Sequence, residues 1–105
     1  MAMFPYRALP VELFMAELAL TADALLVDLR TEREVQADEL MDGAFHIDYL
    51  NEDFEAIIGD MDRLRPFFLY DDGGKRAPLA ASLMARMGFK QIAYLKGGRK
   101  VMQTF

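Results

Sequence analysis

Apolar and polar positions along this chain follow two rhythms: solid runs of four or five apolar residues, and longer stretches in which apolar residues return every three or four positions. The solid runs, bounded by turn residues, fit strands buried on both faces, and the wider spacing fits helices with one face in a core. Tyr6 to Leu9 reads as a first short strand. Pro10 then sits where a helix begins, and Val11, Leu13, Phe14, Glu17 and Leu18 make up its mixed face. Leu25 to Leu29 (LLVDL) is a buried strand, followed at once by Thr31 and Glu34, the spacing of a capping box, in a short helix TEREVQA. Asp42-Gly43 marks a turn before a short strand from Ala44 to Ile47. Asn51 is placed to cap a helix through Ile58, with Gly59 ending it. Phe67 to Tyr70 is the next strand, and Arg76 to Met87 the next helix, with Pro78 in its first turn and Gly88 at its end. Gln91 to Leu95 makes a last strand, Gly97-Gly98 a turn, and Arg99 to Gln103 a terminal helix.

Strands separated by helices imply an α/β domain with a mostly parallel central sheet of about five strands and helices on both faces. With 105 residues the chain has room for a single domain, residues 1–105, built on one modest core. Its apolar runs are far too short to cross a bilayer, and MAMFPYRALP lacks a basic region followed by a long apolar one. A cytoplasmic protein without a membrane partner is therefore expected.

Cysteine is absent, which removes disulfides, thiolate metal sites and every mechanism that needs a thiol nucleophile. A single histidine, His46, cannot build a multi-histidine metal site, so neither a metal nor a cofactor is expected. Net charge is −5, with −12 carried by residues 1–62 and +7 by residues 63–105. Interleaving of the halves in one domain, with most charges solvated or paired, is the plain reading. The sharper reading is a basic face around Lys75, Arg76, Lys96, Arg99 and Lys100 that attracts an anion. An overall acidic chain makes nucleic acid a poor partner.

Chemistry concentrates in FFLYDDGGKRAPLAASLMARMGF, residues 67 to 89, where a strand, a tight loop and a helix N-terminus follow one another. That arrangement holds anions against backbone N–H groups. Here the loop itself opens on two carboxylates, Asp71 and Asp72, followed by Gly73, Gly74, Lys75 and Arg76.

Several segments around this loop resemble the rhodanese-like family. LLVDLRTEREVQ is similar to its aliphatic strand ending in Asp-x-Arg before a Glu-rich helix, MDGAFHI to its Pro-Gly-Ala-x-x-Ile segment, and GFKQIAYLKGG to its Gly-Phe-x-x-Val-x-x-Leu-x-Gly-Gly ending. The resemblance implies a rhodanese-like α/β domain in which Asp71 to Arg76 is the active-site loop. In active members the first loop residue is the cysteine that accepts sulfane sulfur as a persulfide; here the matching residue is Asp71. Gly74 and Arg76 match the loop's glycine and arginine, whereas Asp72 and Ala77 replace a basic residue and a serine, and Glu39, Leu40 and Asp42 replace glycine, histidine and proline. Phosphatase-like relatives of this fold have a longer loop and also depend on cysteine.

A carboxylate cannot form a persulfide, so sulfurtransferase turnover is not expected and no residue is assigned a catalytic role in it. Three readings of Asp71 stay open. Its carboxylate fills the N–H cradle and caps the helix; or Asp71 and Asp72 contribute to a surface for a partner protein or a weakly held cation; or Asp71 is a nucleophile or base in hydrolytic chemistry steadied by Lys75 or Arg76. Asp71, Gly74, Lys75, Arg76 and Arg30 are the candidate ligand-binding residues, with a small anion as the alternative occupant to a cation. Asp28 and Arg30 end a strand and are expected to pair with each other or with Arg33 and Glu34, and His46 to be structural. The function expected is that of a non-catalytic binding or regulatory module with a protein partner. The alternatives are an enzyme using Asp71, or an active sulfurtransferase whose cysteine has been replaced.

Overall fold

The computed structural model describes residues 6–104. Strands β1 (Tyr6–Leu9), β2 (Leu25–Asp28), β3 (Phe45–His46), β4 (Phe67–Tyr70) and β5 (Ile92–Leu95) alternate with helices α1 (Val11–Leu20), α2 (Glu32–Ala37), α3 (Phe54–Gly59) and α4 (Arg76–Arg86). A 3-10 turn of helix, Arg99–Thr104, follows β5. The strands lie in the order β1-β5-β4-β2-β3, and every neighbouring pair is parallel. The central strands therefore have helices on both faces, which is why LLVD and FFLY are buried at every position rather than at alternate ones.

Successive strand residues divide between two cores. Leu25, Val27, Phe67 and Leu69 pack with Phe54, Ile58, Ala77, Ala80, Ala81 and Met84 from α3 and α4. Leu26, Phe68 and Tyr70 face Phe14 of α1 on the other side, with Met41, Val101 and Met102 against them. The run of small residues in α4 lets that helix lie close against the sheet, and the T-shaped ring pairs Phe14–Phe68 and Phe67–Phe89 fill one core each. Among the described residues no helix is long and apolar enough to cross a membrane.

The strands β2, β3 and β5 and helix α4 are one or two residues shorter than the sequence reading, and two further elements differ for a visible reason. Helix α3 starts at Phe54 rather than after Asn51, because the Asn51 side chain accepts the Asp53 N–H at 2.7 Å and its carbonyl accepts that of Phe54 at 3.0 Å, closing a turn before the helix. The C-terminal segment is wound as a 3-10 helix, with the Val101 N–H reaching back three residues to the Gly98 carbonyl at 3.2 Å. The capping box stands as expected: Thr31 Oγ1 accepts the Glu34 N–H at 3.2 Å and a Glu34 carboxylate oxygen accepts the Thr31 N–H at 2.8 Å.

Candidate functional site

Strand β4 delivers Asp71 to the C-terminal edge of the sheet, and the next residues turn sharply into α4. Helix α4 has no side-chain cap at its own N-cap residue, Lys75. Its first orphan donors are met from further back: one Asp71 oxygen, Oδ2, accepts the N–H groups of Arg76 and Ala77, both at 2.7 Å. The other, Oδ1, accepts the Gly74 N–H at 2.6 Å. Three backbone donors thus converge on a side chain with 0% of its surface exposed. The cradle is occupied by the chain's own carboxylate, and short charge-assisted bonds at a helix N-terminus are the strongest form such a cap takes.

The loop is clamped from the other side by the residues after β5. Arg99 N–H donates to the Asp71 carbonyl at 2.7 Å and Lys100 N–H to that of Asp72 at 3.0 Å. A side chain on Gly98, whose φ is +73°, would bring its Cβ to 2.6 Å from Asp71 Oδ1 and 2.5 Å from the Asp72 carbonyl oxygen. A Cβ on Gly74, at φ +89°, would lie 2.8 Å from the Gly97 Cα. Glycine is thus required where two backbone segments meet. Read as a plain turn residue in the sequence, Gly98 is also a wall of the Asp71 cradle, which only the three-dimensional approach reveals.

Arg76 forms a two-pronged ion pair with Glu34, Nη1 to Oε1 at 2.7 Å and Nη2 to Oε2 at 2.8 Å. The Arg76 hydrogen bonds, outweighing partial burial and helped by the Thr31 N–H, hold the Glu34 carboxyl down at about 2. Glu34 therefore does two tasks, closing the α2 cap and tying α2 to α4. The sequence signals the first through Thr31-x-x-Glu34; the second spans 42 residues and carries no local signal.

Arg30 requires a correction. Expected among the ligand-binding residues, it is 1% exposed and committed within the fold. Its Nε lies 3.0 Å from both Asp28 oxygens and Nη2 2.8 Å from Oδ2, while Nη2 also donates to the Glu39 carbonyl at 3.1 Å. The guanidinium sits 5.8 Å from the centre of the Tyr70 ring. Burial, the main influence, pushes the Tyr70 hydroxyl up to about 12, and its oxygen accepts the Met41 N–H at 2.9 Å. The physical reason for the correction is the desolvation of an ionised pair: with Asp28 fully buried, its counter-charge must stay with it.

The basic face is partly spent as well. Arg76 belongs to Glu34, Arg99 lies over Tyr70 with Nε 3.5 Å from Asp38, and Lys100 is 3.3 Å from Asp72. Lys75 and Lys96 are exposed, as is Gly73 at the loop tip. His46 lies away from the loop on β3 and donates from Nε2 to the Arg30 carbonyl at 2.6 Å. No set of three or more His, Asp or Glu side chains among the described residues is placed to hold a metal ion.

A strand, a short loop whose amides converge on one point, and a helix start, set in a parallel sheet of this order, match a known domain. Residues 14–104 fit the family model of the rhodanese-like domain. The chain belongs to the rhodanese-like family. A rhodanese-like domain protein from Staphylococcus aureus has the same fold, with a TM-score of 0.76 at 16% identity over 90% of this chain and 88% of that one. A rhodanese-related protein from Thermoplasma volcanium gives 0.72 at 16% identity over 94% and 93%. A Rhodopseudomonas palustris protein, described as of unknown function and a possible tyrosine phosphatase, gives 0.71 at 24% identity over 94% and 80%. At these identities the likeness is one of fold. No curated protein matches the chain.

Proposed function

We propose that this rhodanese-like domain does not transfer sulfur and serves as a non-catalytic binding or regulatory module. The observation that carries the reading is the state of Asp71: fully buried, with both oxygens engaged by three loop and helix N–H groups. In the resemblance Asp71 stands where sulfur-transferring members carry the persulfide-forming cysteine, and the chain has no thiol elsewhere to take over. A phosphatase of this fold would lack its thiol for the same reason.

Use of Asp71 as a nucleophile or base is disfavoured by the same geometry. A carboxylate in attack needs an oxygen free to reach substrate, and its basicity falls with each N–H bond it accepts. Here no oxygen is free. The test is thiosulfate-to-cyanide sulfur transfer together with intact mass after incubation with a persulfide donor. Turnover at the buffer rate and an unchanged mass are expected. Gain of one sulfur atom, or hydrolysis of para-nitrophenyl phosphate that Asp71→Asn abolishes, would overturn the reading.

A further inference from the structure

The segment from residue 42 to 62, which contains β3 and α3, carries seven acidic side chains and no lysine or arginine. None of the seven is in an ion pair with a described residue, in contrast to Glu17, Asp28, Glu34 and Asp38, which all have basic partners. Charge alone marks a solvated face. What distinguishes this one is a groove of about 330 Å³, lined by Glu32, His46, Ile47, Asp48, Asn51 and Ile57. Its apolar lining is Ile47, which is buried, and Ile57, which is 39% exposed.

The polar groups of the groove are biased toward acceptors. His46 Nε2 donates to the Arg30 carbonyl, so in the neutral imidazole Nδ1 is left as an acceptor. Asp48 uses one oxygen, Oδ1, to accept the Leu50 N–H at 2.8 Å and keeps the other. Glu32, in the first turn of α2, is exposed. Acceptors with net negative charge beside the exposed Ile57 side chain call for a cationic donor attached to an apolar body, and no metal fits because no three ligating side chains among the described residues meet.

We propose that the groove between β3 and α3 docks a partner-protein segment that presents an arginine or lysine beside an apolar side chain, the cation lying among Glu32, Asp48 and His46 and the apolar group on Ile57. The inference rests on the reading of the domain as a binding module and names the partner's chemistry. It also separates the recognition surface from the Asp71 loop, whose own donors are already taken.

The test is titration of the ¹⁵N-labelled domain with a short peptide of alternating arginine and leucine, with its glutamate–leucine counterpart and spermidine as comparisons. Amide shifts confined to β3, α3 and the start of α2 are expected, with saturation by the arginine peptide alone. Glu32→Gln/Asp48→Asn is expected to weaken binding about tenfold and Ile57→Ser by about threefold or more, the usual worth of a placed charge and of a half-buried side chain. Glu12→Gln and Leu79→Ser, altering exposed positions on α1 and α4, should change the affinity less than about twofold. Shifts scattered over the surface, equal losses in those controls, or spermidine binding as tightly as the peptide would overturn the proposal. So would a dimer that Glu32→Gln/Asp48→Asn dissociates, since a second copy would then fill the groove. A domain that ignores the peptide and also fails to transfer sulfur loses this inference and keeps the reading beneath it.

Discussion

Asparagine at position 71 is the smallest perturbation of the filled loop, because it preserves shape while removing the charge and turning one acceptor oxygen into a donor. In the native structure Oδ2 serves Arg76 and Ala77, and Oδ1 serves Gly74, at 2.6–2.7 Å. Whichever way the amide is turned, its NH₂ group faces at least one N–H that it cannot accept. A hydrogen bond to a charged group contributes about 1.5–3 kcal/mol, and the bonds that survive weaken toward the neutral value of about 1 kcal/mol. Relief from burying a charge offsets part of this, so Asp71→Asn is expected to lose about 2–3 kcal/mol at neutral pH. Asp71→Ala orphans all three donors and the α4 cap, and about 3–5 kcal/mol is expected, with water entering the vacated space limiting the loss.

Against the roughly 5–15 kcal/mol typical of a domain, Asp71→Asn remains folded. Urea unfolding followed by far-ultraviolet circular dichroism is the assay. With a slope of about 1–2 kcal/mol per molar, Asp71→Asn should lower the midpoint by about 1–3 M and leave the slope unchanged. Asp72→Asn removes only a partner of Lys100 at the surface and should cost under about 1 kcal/mol. A midpoint for Asp71→Asn within about 0.3 M of the native protein would refute the structural account of this carboxylate.

Glu34 supplies a pH signature: its folded value near 2 lies below the ordinary 4.5, so its contribution is complete above about 4.5 and is lost as pH falls toward 2. After discounting for its partial exposure, Glu34→Gln should cost about 1–2 kcal/mol at pH 7, and the gap to the native protein should close in urea melts at about pH 2; a gap independent of pH would contradict the ion pair. Arg30→Met strands the buried Asp28 carboxylate and should cost about 3–5 kcal/mol, whereas Asp28→Asn/Arg30→Met together should recover much of that loss; equal losses in thermal or urea unfolding would show that the two residues are not coupled.

Most of the fold could be read along the chain because its signals are local. Solid apolar runs such as LLVD and FFLY are visible as strands since both faces of the sheet are covered, and Thr31 with Glu34 announces the start of α2 four residues at a time. The site was legible to the extent that it too is local: a carboxylate three residues before Gly74 and five before Arg76 can reach their N–H groups. What could not be read depends on approach in space. Arg76 finds Glu34 across 42 positions and the clamp on Asp71 comes from backbone after β5, whereas the pairing of Arg30 with Asp28, two residues away on a buried strand, is local and legible in the sequence.

Covalent attachment of the occupant changes what such a loop can report. A free anion fills an amide cradle only in proportion to its concentration, and loop and helix are then stabilised by mass action, which lets occupancy act as a signal. Asp71 is present at every concentration, and its three short bonds keep the cradle filled whatever surrounds the domain. Nothing can be communicated by an equilibrium that stands at one end. If the domain responds to a partner, the response must therefore begin at a surface whose polar groups are still unspent. The carboxylates of Glu32 and Asp48, in no ion pair among the described residues and beside exposed Ile57, meet that requirement, whereas Arg30, Arg76 and Asp71 do not. Retention of Gly74, Gly98 and the helix start then reflects the packing needs of the carboxylate they enclose, and substitutions there should alter stability without altering recognition.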